Sequence, residues 1–63
     1  MPFVTIHWFK GRTAEQKAKI AEAVTKAFEE AAGIPQDQVF IIFIDLEREN
    51  VAKAGRLAST QPP

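Results

Sequence analysis

The 63-residue sequence contains no cysteine and no tyrosine, one histidine, one tryptophan and three glycines. Without cysteine there is neither a disulfide framework nor a thiol nucleophile. With a single histidine and no Cys-x-x-Cys spacing, a structural zinc site lacks its ligands. Eight basic side chains balance eight acidic ones, so no long-range field draws the chain to DNA, RNA or an anionic membrane. No stretch approaches the roughly 20 apolar residues that cross a bilayer. The start shows no charged segment leading into an apolar run and a cleavage site. The expectation is a cytoplasmic protein without nucleic-acid or membrane partners. Ser59 stands outside any Gly-x-Ser-x-Gly elbow and Gly11 outside any phosphate-binding glycine loop, which removes two further enzyme classes.

What remains is 46 % apolar and 25 % charged, the composition of one small globular domain spanning residues 1–63. A chain this short buries only about 60 % of the surface its unfolded form exposes. With disulfides and metal set aside, self-association is the usual remedy.

Phe3 to Phe9 is rich in β-branched and aromatic residues and reads as a strand, with Val4, Ile6 and Trp8 on one face and Phe3, Thr5, His7 and Phe9 on the other. Thr13-Ala14-Glu15-Gln16 fits a capping box, so a helix is predicted from Ala14 to Ala32 with Ile20, Val24, Ala27, Phe28 and Ala31 as its buried stripe. Glu15, Lys19, Glu22 and Lys26 continue the same period on the other side and read as a solvated face. Gly33-Ile34-Pro35 ends the helix, because glycine accepts the left-handed cap and proline cannot extend the ladder. Val39 to Leu46 is the second strand, apolar on both faces. Two strands joined by a long helix make a β-α-β unit with parallel strands, an α+β protomer. Val51 to Leu57 is expected to form a short hairpin or an arm, and residues 58–63 a frayed tail. One helix covers one face of a two-stranded sheet. The other apolar face must therefore meet another chain, and an obligate oligomer is predicted.

Candidate chemistry is sparse. His7, in mid-strand among apolar neighbours, reads as a buried structural histidine rather than a general base. Asp45 and Glu47 alternate onto one face and form either a carboxylate pair or, more in keeping with a strand end, two solvated acids. Lys10 and Arg12 flank the helix start, where a carboxylate ligand is favoured. Pro2 follows Met1, so removal of the methionine would expose a secondary amine at the head of a strand.

Taken together, Met1-Pro2-Phe3-Val4, the Gly11-Arg12-Thr13-Ala14-Glu15-Gln16-Lys17 turn, the Gly33-Ile34-Pro35 exit and the apolar second strand resemble the 4-oxalocrotonate tautomerase family over residues 2 to about 57. The resemblance implies β-α-β protomers pairing into a four-stranded sheet and a hexamer built as a trimer of dimers. It implies a tautomerase without cofactor or metal that moves a proton between the enol and keto forms of a carboxylate-bearing small molecule. Pro2 matches the family's general base. Arg12 matches the helix-start arginine that enters a neighbouring subunit's pocket and grips the substrate carboxylate. An amine works near neutral pH when an apolar, cationic pocket disfavours its protonated form, and Phe3, Trp8 and Phe40 are the candidate walls. Two substrate-facing positions depart from the family pattern: Phe40 stands where a second arginine is usual, and Val51 where an aromatic is usual. The expected pocket is therefore more apolar and suited to arylpyruvate-type enols or other 2-keto acids, with Arg48 or Arg56 as candidate replacements for the lost cation. The alternatives are one subunit of a hetero-oligomeric tautomerase or dehalogenase whose partner supplies the arginine, and a catalytically silent binding module.

Overall fold

The structure, a computed structural model, describes residues 1–62. Strand β1 (Phe3–Phe9) is followed by helix α1 (Ala14–Ala32) and by strand β2 (Phe40–Leu46), which lies parallel to β1 with Phe3 opposite Phe40 and Phe9 opposite Leu46. The ladder extends one residue past each end: the Phe40 N–H donates to the Pro2 carbonyl and the Lys10 N–H to the Leu46 carbonyl, both at 3.0 Å. The architecture is α+β, as the connectivity predicted.

Local chemistry sets the helix ends. The Gln16 N–H donates to the Thr13 hydroxyl at 3.1 Å, and the Gln16 side-chain carbonyl accepts from the Thr13 N–H at 3.0 Å, so the capping box is complete. Gly33 closes the other end at φ 66°, with its N–H on the Glu29 carbonyl at 2.9 Å. A β-carbon is costly in that left-handed backbone. Gln36–Gln38 form one 3₁₀ turn, and the Val39 N–H is used to close it, so β2 begins at Phe40, one residue later than the apolar run suggests.

The helix seam is rotated from the predicted stripe. Lys17, Ile20, Ala21, Val24, Thr25 and Phe28 are half-buried, whereas Ala27 and Ala31 are exposed. At about 100° per residue Ala27 falls at the margin of the contact arc, whereas Ala31 lies within the arc but in the last turn of α1. Their methyl groups do not reach across a sheet only two strands wide.

The sheet's two faces differ sharply. Val4, Ile6, Trp8, Ile41 and Phe43 are half-buried beneath α1. On the other face Phe3 is 66 % exposed, Phe40 40 %, Ile42 46 % and Ile44 37 %. His7 lies on that face and is exposed, not enclosed, because none of the described residues covers it. The protomer is a slab of 43 × 23 × 14 Å, and among the described residues none is fully buried.

After β2, Arg48–Asn50 form a 3₁₀ turn, and β3 (Ala52–Lys53) pairs antiparallel with β4 (Arg56–Leu57). The C-terminal segment is thus a hairpin. Its turn residues Ala54 and Gly55 have φ of 53° and 79°, the positive pair of a type I′ turn. Ala58–Thr60 make one more 3₁₀ turn, tied to the hairpin base by Ala58 N–H to Val51 carbonyl at 2.8 Å. Of the segment expected to be a tail, Pro63 lies outside the described residues. No helix among the described residues is long and apolar enough to cross a membrane.

Candidate active site

The predicted site residues form two clusters at opposite ends of β1. At its head, Pro2 is half-buried and bonded through its carbonyl to the Phe40 N–H, while the Phe3 and Phe40 rings stack at 4.9 Å with an interplanar angle of 15°. This end is apolar. Met1, which precedes the proline, is 73 % exposed.

The second cluster occupies the strand's far end, about 20 Å away at the usual rise per residue. Arg12 places its guanidinium carbon 5.5 Å from the centre of the Trp8 ring, and Arg48 places its own 4.5 Å from the centre of Phe9. Both arginines line a groove of about 430 Å³ with His7, Trp8, Phe9 and Val51. Cations over aromatic faces gain attraction from the ring quadrupole, about 0.5–1 kcal/mol at exposed sites such as these. Among the described residues neither has a carboxylate partner within ion-pair distance.

The carboxylates nearby are committed elsewhere. Glu47 pairs with Lys10 at 2.9 Å, and this contact raises the lysine above its ordinary pKa. Asp45 accepts from the Lys17 ammonium at 2.6 Å and from the Trp8 indole N–H at 2.7 Å. Those two bonds hold its carboxyl below the ordinary range, against a smaller opposing effect of desolvation. Asp45 and Glu47 are therefore two separate ion pairs and not a carboxylate dyad.

Pro2 and Phe40 meet within one protomer, and Arg12 and Val51 meet within one protomer, but the two pairs do not meet each other. Trp8 does not wall the proline of its own chain. It belongs to the arginine end and stacks on Phe43 at 5.3 Å under the helix. Arg56 lies in an adjoining hollow of about 680 Å³ under the hairpin, which Arg48 and Val51 also border. The sequence reading had no place for the Trp8–Asp45–Lys17 cluster, although one signal was there. Lys17 is a lysine on the apolar side of α1, three residues before Ile20, and Asp45 is an acid ending an apolar strand.

Similarity to known proteins identifies the family. A family profile described as "Tautomerase enzyme" matches residues 2–61. The 2-hydroxymuconate tautomerase of Comamonas testosteroni is 42 % identical over 55 residues, covering 87 % of each chain. Among solved structures, a 4-oxalocrotonate tautomerase isozyme from Methylibium petroleiphilum matches at 40 % identity and a TM-score of 0.81, over 92 % of this chain and 94 % of that one. YwhB, described as a homologue of 4-oxalocrotonate tautomerase, matches at 31 % identity and a TM-score of 0.88, over 97 % of this chain and 100 % of that one. The chain belongs to the tautomerase family. It is an isomerase of the 4-oxalocrotonate tautomerase type.

Proposed function

We propose that the mature chain, with Met1 removed, uses the Pro2 nitrogen as general base in the ketonisation of a 2-hydroxy-2-alkenoate to its 2-keto acid. The nitrogen lone pair accepts the enol hydroxyl proton. The electrons of the broken O–H bond close the carbonyl as the C2–C3 π pair takes the same proton back from nitrogen at C3, so no atom is gained or lost. The site is shared between copies. Pro2, Phe3 and Phe40 of one protomer form the apolar half, which disfavours the protonated amine. Arg12 of a neighbour holds the substrate carboxylate by its fork of N–H donors. Val51 of the arginine end replaces a ring and widens the pocket for an aryl or alkyl substituent. Arg48, in the same groove as Arg12, is the candidate second cation.

The observation that carries this reading is the division of the residues into two half-sites. They lie about 20 Å apart along one strand, beside a sheet face that is apolar and uncovered. One protomer cannot close the site, and burying the exposed part of Phe3, Phe40, Ile42 and Ile44 against other copies stabilises an assembly by roughly 1 kcal/mol per side chain, about half the value for full burial. We take that assembly to be a cytoplasmic homohexamer, a trimer of four-stranded dimers.

The test is ketonisation of phenylenolpyruvate by the native protein, by Pro2→Ala and by Arg12→Gln. Pro2→Ala is expected to lose on the order of 10²–10⁴-fold in kcat, with Arg12→Gln acting mainly on KM. A native rate equal to buffer refutes the substrate class. An intact mass that retains Met1 in protein from the native host refutes the base, because an acylated nitrogen has no basic lone pair.

A further inference from the structure

We infer that Trp8 is the positioning residue for Arg12, and that Lys17 and Asp45 act through it by clamping its indole. The inference rests on Arg12 being the carboxylate anchor of the reaction proposed above.

Arg12 follows Gly11 in the loop between β1 and α1 and is exposed, and among the described residues no acid fixes its guanidinium. The contact that defines its direction is the Trp8 ring, 5.5 Å beneath it. A ring gives a cation a face but not a heading, so the platform is only as fixed as the indole. That indole is held at two points. Phe43 stacks against it at 5.3 Å and 24°, and its N–H donates to Asp45 Oδ1 at 2.7 Å across the β1–β2 register. The other carboxylate oxygen takes the Lys17 ammonium at 2.6 Å, which ties the clamp to the first turns of α1.

The same arrangement keeps Arg12 available. Asp45 is the acid bonded to the ring on which Arg12 rests, and in a less ordered site it would capture the guanidinium. With one oxygen on the indole N–H and the other on the Lys17 ammonium, each oxygen already has a donor and the carboxylate charge is balanced by Lys17, which weakens its pull on the guanidinium. Arg12 keeps its donors for a ligand. An aromatic at position 8 without an N–H would supply the face and lose the clamp.

Two measurements test this. In the first, steady-state kinetics with phenylenolpyruvate are compared for Trp8→Leu, Trp8→Phe, Asp45→Asn and Phe28→Leu, the last a destabilising control at the far end of the same seam. Trp8→Leu is expected to raise KM about tenfold with kcat within about twofold, as for loss of a cation–π contact that orients a binding group. Trp8→Phe and Asp45→Asn are expected to raise it about threefold, and Phe28→Leu to leave it unchanged. A KM for folded Trp8→Leu equal to that of the native protein, or one matched by Phe28→Leu, overturns the inference.

The second measurement needs no turnover. Trp8 is the sole tryptophan and there is no tyrosine, so indole emission reports on this site alone. Arg12→Gln is expected to shift that emission, and titrated hexanoate to perturb it in the native protein but not in Arg12→Gln. Identical spectra for native and Arg12→Gln protein, or an equal hexanoate response in both, overturn the Trp8–Arg12 relation even in an enzyme inactive on phenylenolpyruvate. A native enzyme without ketonisation activity but with the expected emission behaviour refutes the substrate class and leaves the positioning role standing.

Discussion

The two faces of one small sheet have been given the same kind of side chain and opposite surroundings. Beneath α1, Val4, Ile6, Ile41 and Phe43 are half-buried, whereas Phe3, Phe40, Ile42 and Ile44 on the other face stand open to solvent. Apolarity alone thus does not say which side of a sheet is finished. The covering element does, and the described residues form only one. The helix face carries the internal structure. The open face carries the demand for other copies, and half-buried Pro2 stands at the head of the strand that bears it. A domain in which none of the described residues is fully buried stores its stability in its contacts with others, which also makes a site divided between protomers possible.

The largest effect comes from breaking the open face. Ile42→Glu puts a charge in the middle of the uncovered apolar row, where an interface cannot accept it unpaired. Loss of the assembly is expected, and with it loss of the folded state, since the protomer has no core to fall back on. Sedimentation velocity and far-ultraviolet circular dichroism would show small, largely unfolded chains. A folded monomer instead would mean that the helix face alone suffices, and the contrast between the faces would lose its meaning.

A smaller and more selective effect belongs to the helix face. Asp45 is held below the ordinary carboxyl value near 3.8, first by the Lys17 bond and then by the Trp8 bond. A depressed folded-state value means the unfolded chain binds the proton more readily. The stabilisation is therefore complete above the ordinary value and is lost as pH falls through the lower, folded-state one. Urea midpoints measured from neutral pH down to about 3 should fall on acidification in the native protein. In Asp45→Asn they should start lower and fall less. An identical slope in both would show that the clamp does not titrate.

How much of this the sequence disclosed depended on whether the cause was local or long-range. Thr13, Gln16 and Gly33 act within a few residues of themselves, so both helix ends were legible. The alternation of β1 was legible for the same reason. The phase of α1 was not: Ala27 and Ala31 were read as seam and Lys17, Ala21 and Thr25 were not, because rotation about the helix axis is decided by the sheet it rests on. Pro2, Arg12, Phe40 and Val51 could be named from spacing and resemblance, but their division into two ends needed the parallel register. Trp8 was one of three candidate walls for the proline; within its own chain it stands under Arg12 instead, since a strand carries its side chains apart at about 3.3 Å per residue. Its bond to Asp45 is a cross-strand pair that only register reveals.

The smallest expected effect concerns the hairpin beyond the two faces, where the conflict is local. Ala54 occupies the left-handed region at φ 53° ahead of Gly55 at φ 79°, and an L-residue with a β-carbon is disfavoured there by roughly 1–2 kcal/mol. Asparagine tolerates that region better, and Asn-Gly is the favoured pair for a type I′ turn. Ala54→Asn is expected to stabilise each chain by about 0.5–1 kcal/mol, raising the thermal midpoint of the assembly. Since β3 and β4 border the hollow shared by Arg48 and Val51, a firmer turn should leave the oligomeric state unaltered while ordering that side of the groove. A lower midpoint would mean that contacts between copies impose a different turn on the hairpin. The open face would then govern local backbone as well as assembly.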